Sequence, residues 1–357
     1  VRRPYQNPDF HTRLSAVREP LLKFGLQLLC FICVALHLHP AHGTEPVTPE
    51  NYIRAEVDFA LADFQKNAGG KVNTFFYITE PTPLDNQTVV RMNRDTLYAG
   101  AVVDTEGGAT ITIPEFPDDR YFSVYVVDND HYAAAVYYTP GTHKLPEDTK
   151  YAAVIQRIQL KDPSDPKDVA LVNAMQKKIT INATSADPFP TPLWDKDSML
   201  TLRKEYEKEF QQFDQYEPDW MGPRGEVNEQ TRHLAVAGAI YLFPEKDAVY
   251  INYTGPQDGS KCYRANYAVP DNNAFWSITV YGDDGFMKSG NNIINDRNVT
   301  LNKDNTFTAY FGSEQACGNQ ANRVDITDGW NFLMRVYRPG PAVLKREYNL
   351  PPVQVVE

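Results

Sequence analysis

Two long stretches of alternating apolar and polar residues, each cut into short runs by turn residues, constrain this chain more than any other feature. From Asn73 to about Gln159 the period is two, with apolar or aromatic runs at 74–78, 109–113, 121–127 and 133–138. Glu106-Gly107-Gly108, Pro117-Asp118-Asp119 and Pro140-Gly141 separate them. Side chains of a strand alternate between two faces, so these runs predict strands, and turns this short predict hairpins rather than crossovers. After Pro244 the pattern returns at 248–253, 263–268, 275–281, 306–311 and 332–337. Strands at that spacing without intervening helices favour an antiparallel sandwich or jelly roll over a parallel sheet.

Helical spacing takes over elsewhere. Thr48-Pro49-Glu50 predicts a helix start, with Thr48 as cap and Pro49 at the first helical position, where its missing N–H costs nothing. Ile53, Val57, Ala60, Leu61 and Phe64 then form one face up to about Lys66, and Gly69-Gly70 supplies the stop. A helical middle section is expected at 166–179, 197–216 and 228–243. Between the last two, residues 217–225 hold two prolines and two glycines, the best candidate for a hinge or a long inter-domain loop. The expected class is mainly β with helices (α+β).

Residues 1–43 differ in character. Arg2, Arg3, Arg13, Arg18 and Lys23 precede an apolar run at 24–38 that ends in Pro40-Ala41-His42-Gly43, where the small residues at 41 and 43 fit signal-peptidase spacing. Cleavage after Gly43 is expected, and the protein is expected in the periplasm or secreted. The run is about 15 residues, short of the ~20 that a spanning helix needs, so no stable membrane anchor is expected.

The whole chain has 35 basic and 46 acidic residues, a charge of −11; without the first 43 residues, which hold five basic and two acidic side chains, it becomes −14. Such a surface repels polyanions and no Lys/Arg run offsets it, so nucleic acid is excluded as a partner. Hydrophobic residues at 42% and aromatics at 12% exclude a disordered chain. Cys30 and Cys33 leave with the signal. Cys262 and Cys317 remain as a disulfide candidate that an oxidising compartment permits, two free buried thiols being the alternative.

Several stretches together resemble a pair of bacterial domains, domain of unknown function 1254 followed by domain of unknown function 1214. In the first half these are Asn93-Arg94-Asp95-Thr96-Leu97-Tyr98, Asp104, Asp119-Arg120-Tyr121 and Asp128. In the second they are Phe275-Trp276-Ser277-Ile278-Thr279-Val280-Tyr281, Asn291 and Arg335-Val336-Tyr337-Arg338-Pro339. The resemblance implies an N-terminal β-rich domain with helices, at 44–222, and a C-terminal antiparallel jelly-roll-like sandwich, at 223–357. It implies no reaction. The Asn-Trp-Leu-Pro stretch usual in the family is here Asn322-Arg323-Val324-Asp325, so a pocket lined by that stretch would differ in this chain.

Chemistry is sparser. Asn93, Asp95 and Tyr98 form either an Asx-type turn or a polar anchor in which Asp95 is a general base and Tyr98 orients a ligand. Arg120 beside Tyr121 could bind a carboxylate, a phosphate or a sugar hydroxyl through its planar fork, or pair with an internal acid such as Asp119 or Asp128. Arg335, in an apolar strand, needs a buried partner. Asp128-Asn129-Asp130-His131 alternates hard oxygens but lacks the glycine and distal Glu of a calcium loop, and among His131, His143 and His233 no two have helical ligand spacing, so no metal is expected. Neither Gly-x-Ser-x-Gly nor a phosphate-cradling Gly-rich loop occurs, so no nucleotide cofactor is expected. Tyr98, Tyr121, Tyr125, Tyr132, Trp276 and Tyr281 are core packing or platforms for sugars and small amphipathic molecules.

The expectation is therefore an exported protein that binds a small molecule or glycan in a pocket between its β-rich parts. Asn93, Asp95, Tyr98, Arg120, Tyr121, Trp276 and Tyr281 are the candidate contacts. The alternatives are a cofactor-independent hydrolase using Asp95 or Asp128 as base, and a structural assembly subunit. The sequence does not set the oligomeric state.

Overall fold

Alternation becomes hydrogen-bonded sheet where the turn residues place it, and the departures have local causes. The computed structural model describes residues 44–87, 91–213 and 215–357; the expected export segment, with Cys30 and Cys33, lies outside the described residues. Among the described residues no helix is long and apolar enough to cross a membrane.

The first half opens with α1 (Tyr52–Asn67). It starts a turn later than predicted because the Asn51 side chain accepts the Thr48 amide at 2.8 Å, folding Thr48-Pro49-Glu50 into a turn of its own. Gly69 and Gly70, at φ +71° and +80°, end it as expected. Strands β1 (Phe76–Tyr77), β2 (Thr96–Asp104), β3 (Ala109–Ile113), β4 (Phe122–Asp128), β5 (Ala133–Tyr137), β6 (Gly141–Lys144) and β7 (Tyr151–Gln159) follow. Next come α2 (Pro166–Gln176), β8 (Thr180–Ala183) and α3 (Lys196–Phe210). Asp165 caps α2 by accepting the Lys167 amide at 2.9 Å, with Pro166 at the first helical position.

One antiparallel sheet runs β1-β2-β7-β4-β5, and a smaller one runs β6-β3-β8. Its two longest strands, β2 and β7, pair in register along their whole length at the centre. They carry apolar residues on both faces, so the alternation that marks a half-buried strand is blurred in them. One face, with Leu97, Val124, Val154 and Ile158, packs on α2 through Val172 and Met175. A Cβ at Gly100 would lie 2.6 Å from the Phe76 ring and 3.0 Å from Phe64, so glycine alone lets β1 and α1 close on the middle of β2.

The second half comprises α4 (His233–Gly238), β9 (Ala248–Thr254), β10 (Tyr263–Ala268), β11 (Trp276–Tyr281), β12 (Ile293–Asn295) and β13 (Thr306–Phe311). It ends with α5 (Glu314–Cys317), β14 (Arg323–Val324), β15 (Asn331–Tyr337), α6 (Pro341–Leu344) and β16 (Gln354–Val355). The helix expected at 228–243 is cut to α4, because Ala239 is extended and Tyr241 takes φ +61°. Sheets β12-β11-β15-β9 and β14-β13-β10-β16 form the expected sandwich over a core of Trp276, Ile278, Phe307, Phe311, Trp330 and Met334. Asn322-Arg323-Val324-Asp325 forms the edge strand β14, with Arg323 paired to Asp325.

Residues 43–357 cluster as one compact unit. The 217–225 link is stitched to both halves: Trp220 and Met221 are buried, and the Gly222 carbonyl accepts the Ala133 amide at 2.9 Å. Cys262 and Cys317 are joined with Cα atoms 5.0 Å apart, closing a separation of 55 residues. A Cβ at Gly312 would lie 2.6 Å from the Cys317 sulfur, so glycine is required there for the bond to form undistorted. A loop of that length constrains the unfolded chain, and its removal is expected to cost about 2 to 4 kcal/mol. The double substitution Cys262→Ala/Cys317→Ala should lower the urea midpoint accordingly, and a reductant should lower that of the parent but not that of the variant.

Candidate functional site

Because residues two apart on a strand share a face, the facing sides of the two central sheets follow from register. On β2, β7 and β4, Leu97, Ile158 and Val124 turn into the core with α2. Their alternates Tyr98, Arg157 and Ser123, neighbours across the strands, therefore turn the other way. On the second-half sheet Ile278 and Met334 enter the sandwich core. That leaves the row Asn295, Ser277, Arg335 and Tyr250 turned toward the first half. Tyr121, Tyr125, Phe243, Phe275 and Tyr337 fill the layer between. Phe275 stacks on Tyr337 with centroids 4.3 Å apart, and Tyr121 meets both at 5.3 and 5.4 Å.

Arg157 lies at the middle of this layer and is 8% exposed. Its guanidinium is 4.1 Å from the Phe243 ring centroid, 5.4 Å from that of Tyr98 and 5.6 Å from that of Tyr125. Nη2 donates to the Tyr241 carbonyl at 3.1 Å, whereas Nη1 is buried with no hydrogen-bond partner. Asp247, an acid of the same layer, instead accepts the Tyr138 hydroxyl at 2.7 Å. An unpaired buried charge costs several kcal/mol, of which cation–π contacts return about 2.

Arg335 solves the same problem differently. Nη1 donates to Thr279 Oγ1 at 3.1 Å, and Nη2 donates to the Arg91 carbonyl at 2.7 Å and the Tyr281 hydroxyl at 2.9 Å. Tyr281 in turn donates to the Met92 carbonyl at 2.8 Å. The buried partner that the sequence demands is thus a set of oxygens without full charge, and the set clamps residues 91–92 onto the second half.

Two amide–carboxylate bonds stitch the halves. Asn295 Nδ2 donates to Asp95 Oδ1 at 3.1 Å, and Gln159 Nε2 donates to Asp296 Oδ1 at 3.0 Å. Burial raises the Asp95 carboxyl above its usual range even though hydrogen bonds from Ser277 and Asn295 and the Arg335 charge pull the other way. Burial also lifts Asp296 to about 6, against the attraction of Arg297.

Of the residues singled out from sequence, Asn93, Asp95 and Tyr98 do converge. Asn93 Oδ1 accepts the Asp95 amide at 3.2 Å, the Asx geometry, and its Nδ2 donates to the Tyr98 hydroxyl at 2.7 Å. Tyr121 and Tyr281 join the same layer. Arg120 does not. With Tyr121 turned inward, Arg120 faces α2, where Asp118 takes Nε at 2.8 Å and Nη2 at 2.7 Å, and Asp168 takes Nη2 at 2.9 Å. Its Nη1 donates to the Gln159 carbonyl at 3.0 Å. Its acids are therefore Asp118 and Asp168, not Asp119, which pairs with Lys161 at 2.7 Å, nor Asp128. Trp276 likewise turns away from the layer, into the sandwich core, stacked on Phe307 at 4.7 Å.

Asp128 braces its own turn, accepting the amides of Asp130 at 2.9 Å and Tyr132 at 2.8 Å and pairing with Arg224 at 2.9 Å. His131, at φ +65°, is pushed down to about 3 by burial and by the Arg232 charge, and its Nε2 accepts the Tyr241 amide at 3.2 Å. Among the described residues, the group of acids close enough to share a cation is Asp104, Glu106 and Asp187. The Lys150 ammonium already sits among them, 2.8 Å from Asp187 and 3.9 Å from Asp104. Sequence reasoning missed Arg157, Gln159, Asn295 and Tyr250. An arginine inside the apolar run 151–159 was the available signal, the same one that singles out Arg335.

A narrow cavity of about 30 Å³ adjoins the layer, lined by Tyr216, Trp220, Met221, Leu242, Phe243 and Tyr250. It has room for a water-sized group. Phe243 and Tyr250 are shared with the surroundings of Arg157, and the lining residues Tyr216 and Tyr250 stay partly exposed. A roomier groove of about 330 Å³ lies between the end of α1 and residues 189–192. There Gln65 is already engaged with the Phe189 backbone, and no buried polar group converges. Space lies at the second, chemistry at the first.

Asp296 gives the layer a pH dependence whose sign is fixed. A carboxyl raised in the folded state contributes stability that is fully present below its unfolded value near 4 and is lost as pH rises through about 6. Asp296→Asn keeps the Gln159 contact without the charge. Relative to the parent it should gain about 1 kcal/mol between pH 4.5 and 7.5, allowing for partial solvent screening. Parallel urea titrations at the two pH values check this, and an equal difference at both would refute it.

Comparison with known proteins follows the same division. No curated protein matches the chain. The fold is shared with the VPA0106 protein from Vibrio parahaemolyticus, at a TM-score of 0.65 and 15% identity over 86% of this chain and 98% of that one. It is also shared with an uncharacterized protein from Burkholderia cenocepacia, at a TM-score of 0.51 and 14% identity over 86% and 88%. Likeness at such identity speaks to architecture alone. Residues 72–144 match the family described as protein of unknown function DUF1254, and residues 239–341 match that described as protein of unknown function DUF1214. The chain thus pairs these two families, DUF1254 before DUF1214, as the motifs around Asn93 and Trp276 imply.

Proposed function

We propose that this is an exported binding protein that takes a small molecule into the polar layer between its two central sheets, entered past Tyr216 and Tyr250. The observation that carries the reading is the Arg157 guanidinium, buried there with Nη1 lacking a hydrogen-bond partner, beside the Ser123 and Tyr121 hydroxyls, which interact with each other. Buried polar groups are nearly always satisfied in native proteins, and a charged guanidinium N–H is among the costliest to leave unpaired, which supports a ligand that supplies the bond. The narrowness of the cavity favours a ligand that inserts a compact polar head and leaves its body along the tyrosine rim, which argues for a small molecule over a glycan. Export is supported by the signal-like character of residues 1–43 and by the Cys262–Cys317 bond.

A second reading, hydrolysis with Asp95 carrying the proton, is favoured by its burial and raised carboxyl. Mass spectrometry of a bound compound after incubation separates the two, since only hydrolysis consumes it.

Trp220 lines the cavity, whereas Trp276 and Trp330 lie in the sandwich core and Trp194 packs beside α3. In a metabolite panel, a compound that raises the melting temperature should also change tryptophan emission. Trp220→Phe should abolish the emission change while leaving the thermal shift. A thermal shift whose emission change survives in Trp220→Phe would place the ligand elsewhere. For export, residues 1–60 fused to a reporter active only outside the cytoplasm should give signal, and deletion of 24–38 should remove it.

A further inference from the structure

We propose that the group bound in this layer is an anion, a carboxylate or a compact inorganic anion, held by Arg157. The inference rests on the reading of the layer as a binding site and adds the chemical class. Its basis is an imbalance between donors and acceptors. Arg335 spends its donors on Thr279, Tyr281 and the Arg91 carbonyl, but Arg157 has a single hydrogen bond and an unpartnered Nη1. Ser123, directly across from Arg157 in register, has a buried hydroxyl that interacts with that of Tyr121, and two hydroxyls that share one proton keep the other to donate. The Tyr98 hydroxyl accepts a bond from Asn93, which leaves its own proton to donate. Arg157, Tyr98 and the Ser123–Tyr121 pair thus offer N–H or O–H groups on one face of the first-half sheet, and the ligand that fits them is rich in acceptors.

The acids of the layer do not serve that role. Asp95 is engaged by Asn295 and Ser277 and one oxygen of Asp247 by Tyr138, neither pairs with Arg157, and burial raises both carboxyls, so the charged form of each is disfavoured while the guanidiniums stay charged. Phe243 covers one face of the Arg157 guanidinium at 4.1 Å, leaving the in-plane edge, where carboxylates and other oxyanions bind through paired N–H groups. The chain as a whole carries −11, so its net charge does not attract anions and the preference has to be local.

The test uses the full chain in a zwitterionic buffer, with 1–20 mM sodium acetate, benzoate or chloride set against the neutral acetamide and benzamide. Melting temperature and tryptophan emission are the readouts. The expected result is a saturable rise with the anions and none with the amides, with affinity at least tenfold weaker in Arg157→Gln. Acetate and benzoate against chloride separates an organic carboxylate from an inorganic anion as the source. Amides that match their acids would overturn the anion while leaving the binding layer standing. Silence from every probe, and from the wider metabolite panel, would remove both. Should Arg157→Gln fail to fold, the acid-against-amide comparison on the unaltered protein decides alone.

Discussion

Everything in this structure depends on two sheets that are covered on both faces. Each turns one face into its own apolar core, with α2 in the first half and the opposing sheet of the sandwich in the second, and the remaining faces meet each other. A sheet face that meets another sheet must be filled to interior density. Here tyrosines and Phe275, Phe243 and Tyr337 supply the volume, and polar side chains occupy the central rows. Neither half would keep Arg157 or Arg335 dry without the other, so the layer is a product of their packing and not a property of either strand set.

Three buried arginines show how that packing sorts structure from chemistry. Arg120 meets two carboxylates and a carbonyl and has almost no donor left, the pattern of an ion pair that locks β4 to α2. Arg335 meets hydroxyls and carbonyls, enough to satisfy it and to hold residues 91–92 against β11 and β15. Arg157 meets rings and one carbonyl. Compensation falls along the series, and Arg157 is the least compensated of the three.

Much of the architecture was legible because turn chemistry and alternation are local. The strands at 109–113, 263–268 and 306–311 fall where the pattern puts them, and Gly69-Gly70 ends α1. What stayed hidden depends on partners distant in sequence. β2 and β7 lose their alternation by being buried on both sides, and the helix expected at 228–243 is shortened by the left-handed turn at Tyr241, beside the His131 side chain. The same distinction governs the site. Asn93, Asp95 and Tyr98 were visible as a local Asx motif, but whether Arg120 or Arg157 faces the layer is a question of parity on a strand. A shift of one residue reverses it.

That parity bears on what the two matched families contribute. Tyr98, Tyr121 and Ser123 lie within 72–144, and Tyr250, Ser277, Asn295 and Arg335 lie within 239–341. β7, with Arg157 and Gln159, lies between the two matches. The central strand of the first sheet, which pairs with β2 on one side and β4 on the other, thus carries both Arg157 and one of the two amide–carboxylate bonds between the halves. A change at position 157 alters the charge of the layer without touching any residue that defines either family region. The charge at the centre of the layer is therefore set by the residue opposite Ser123 on the neighbouring strand, outside both matched regions.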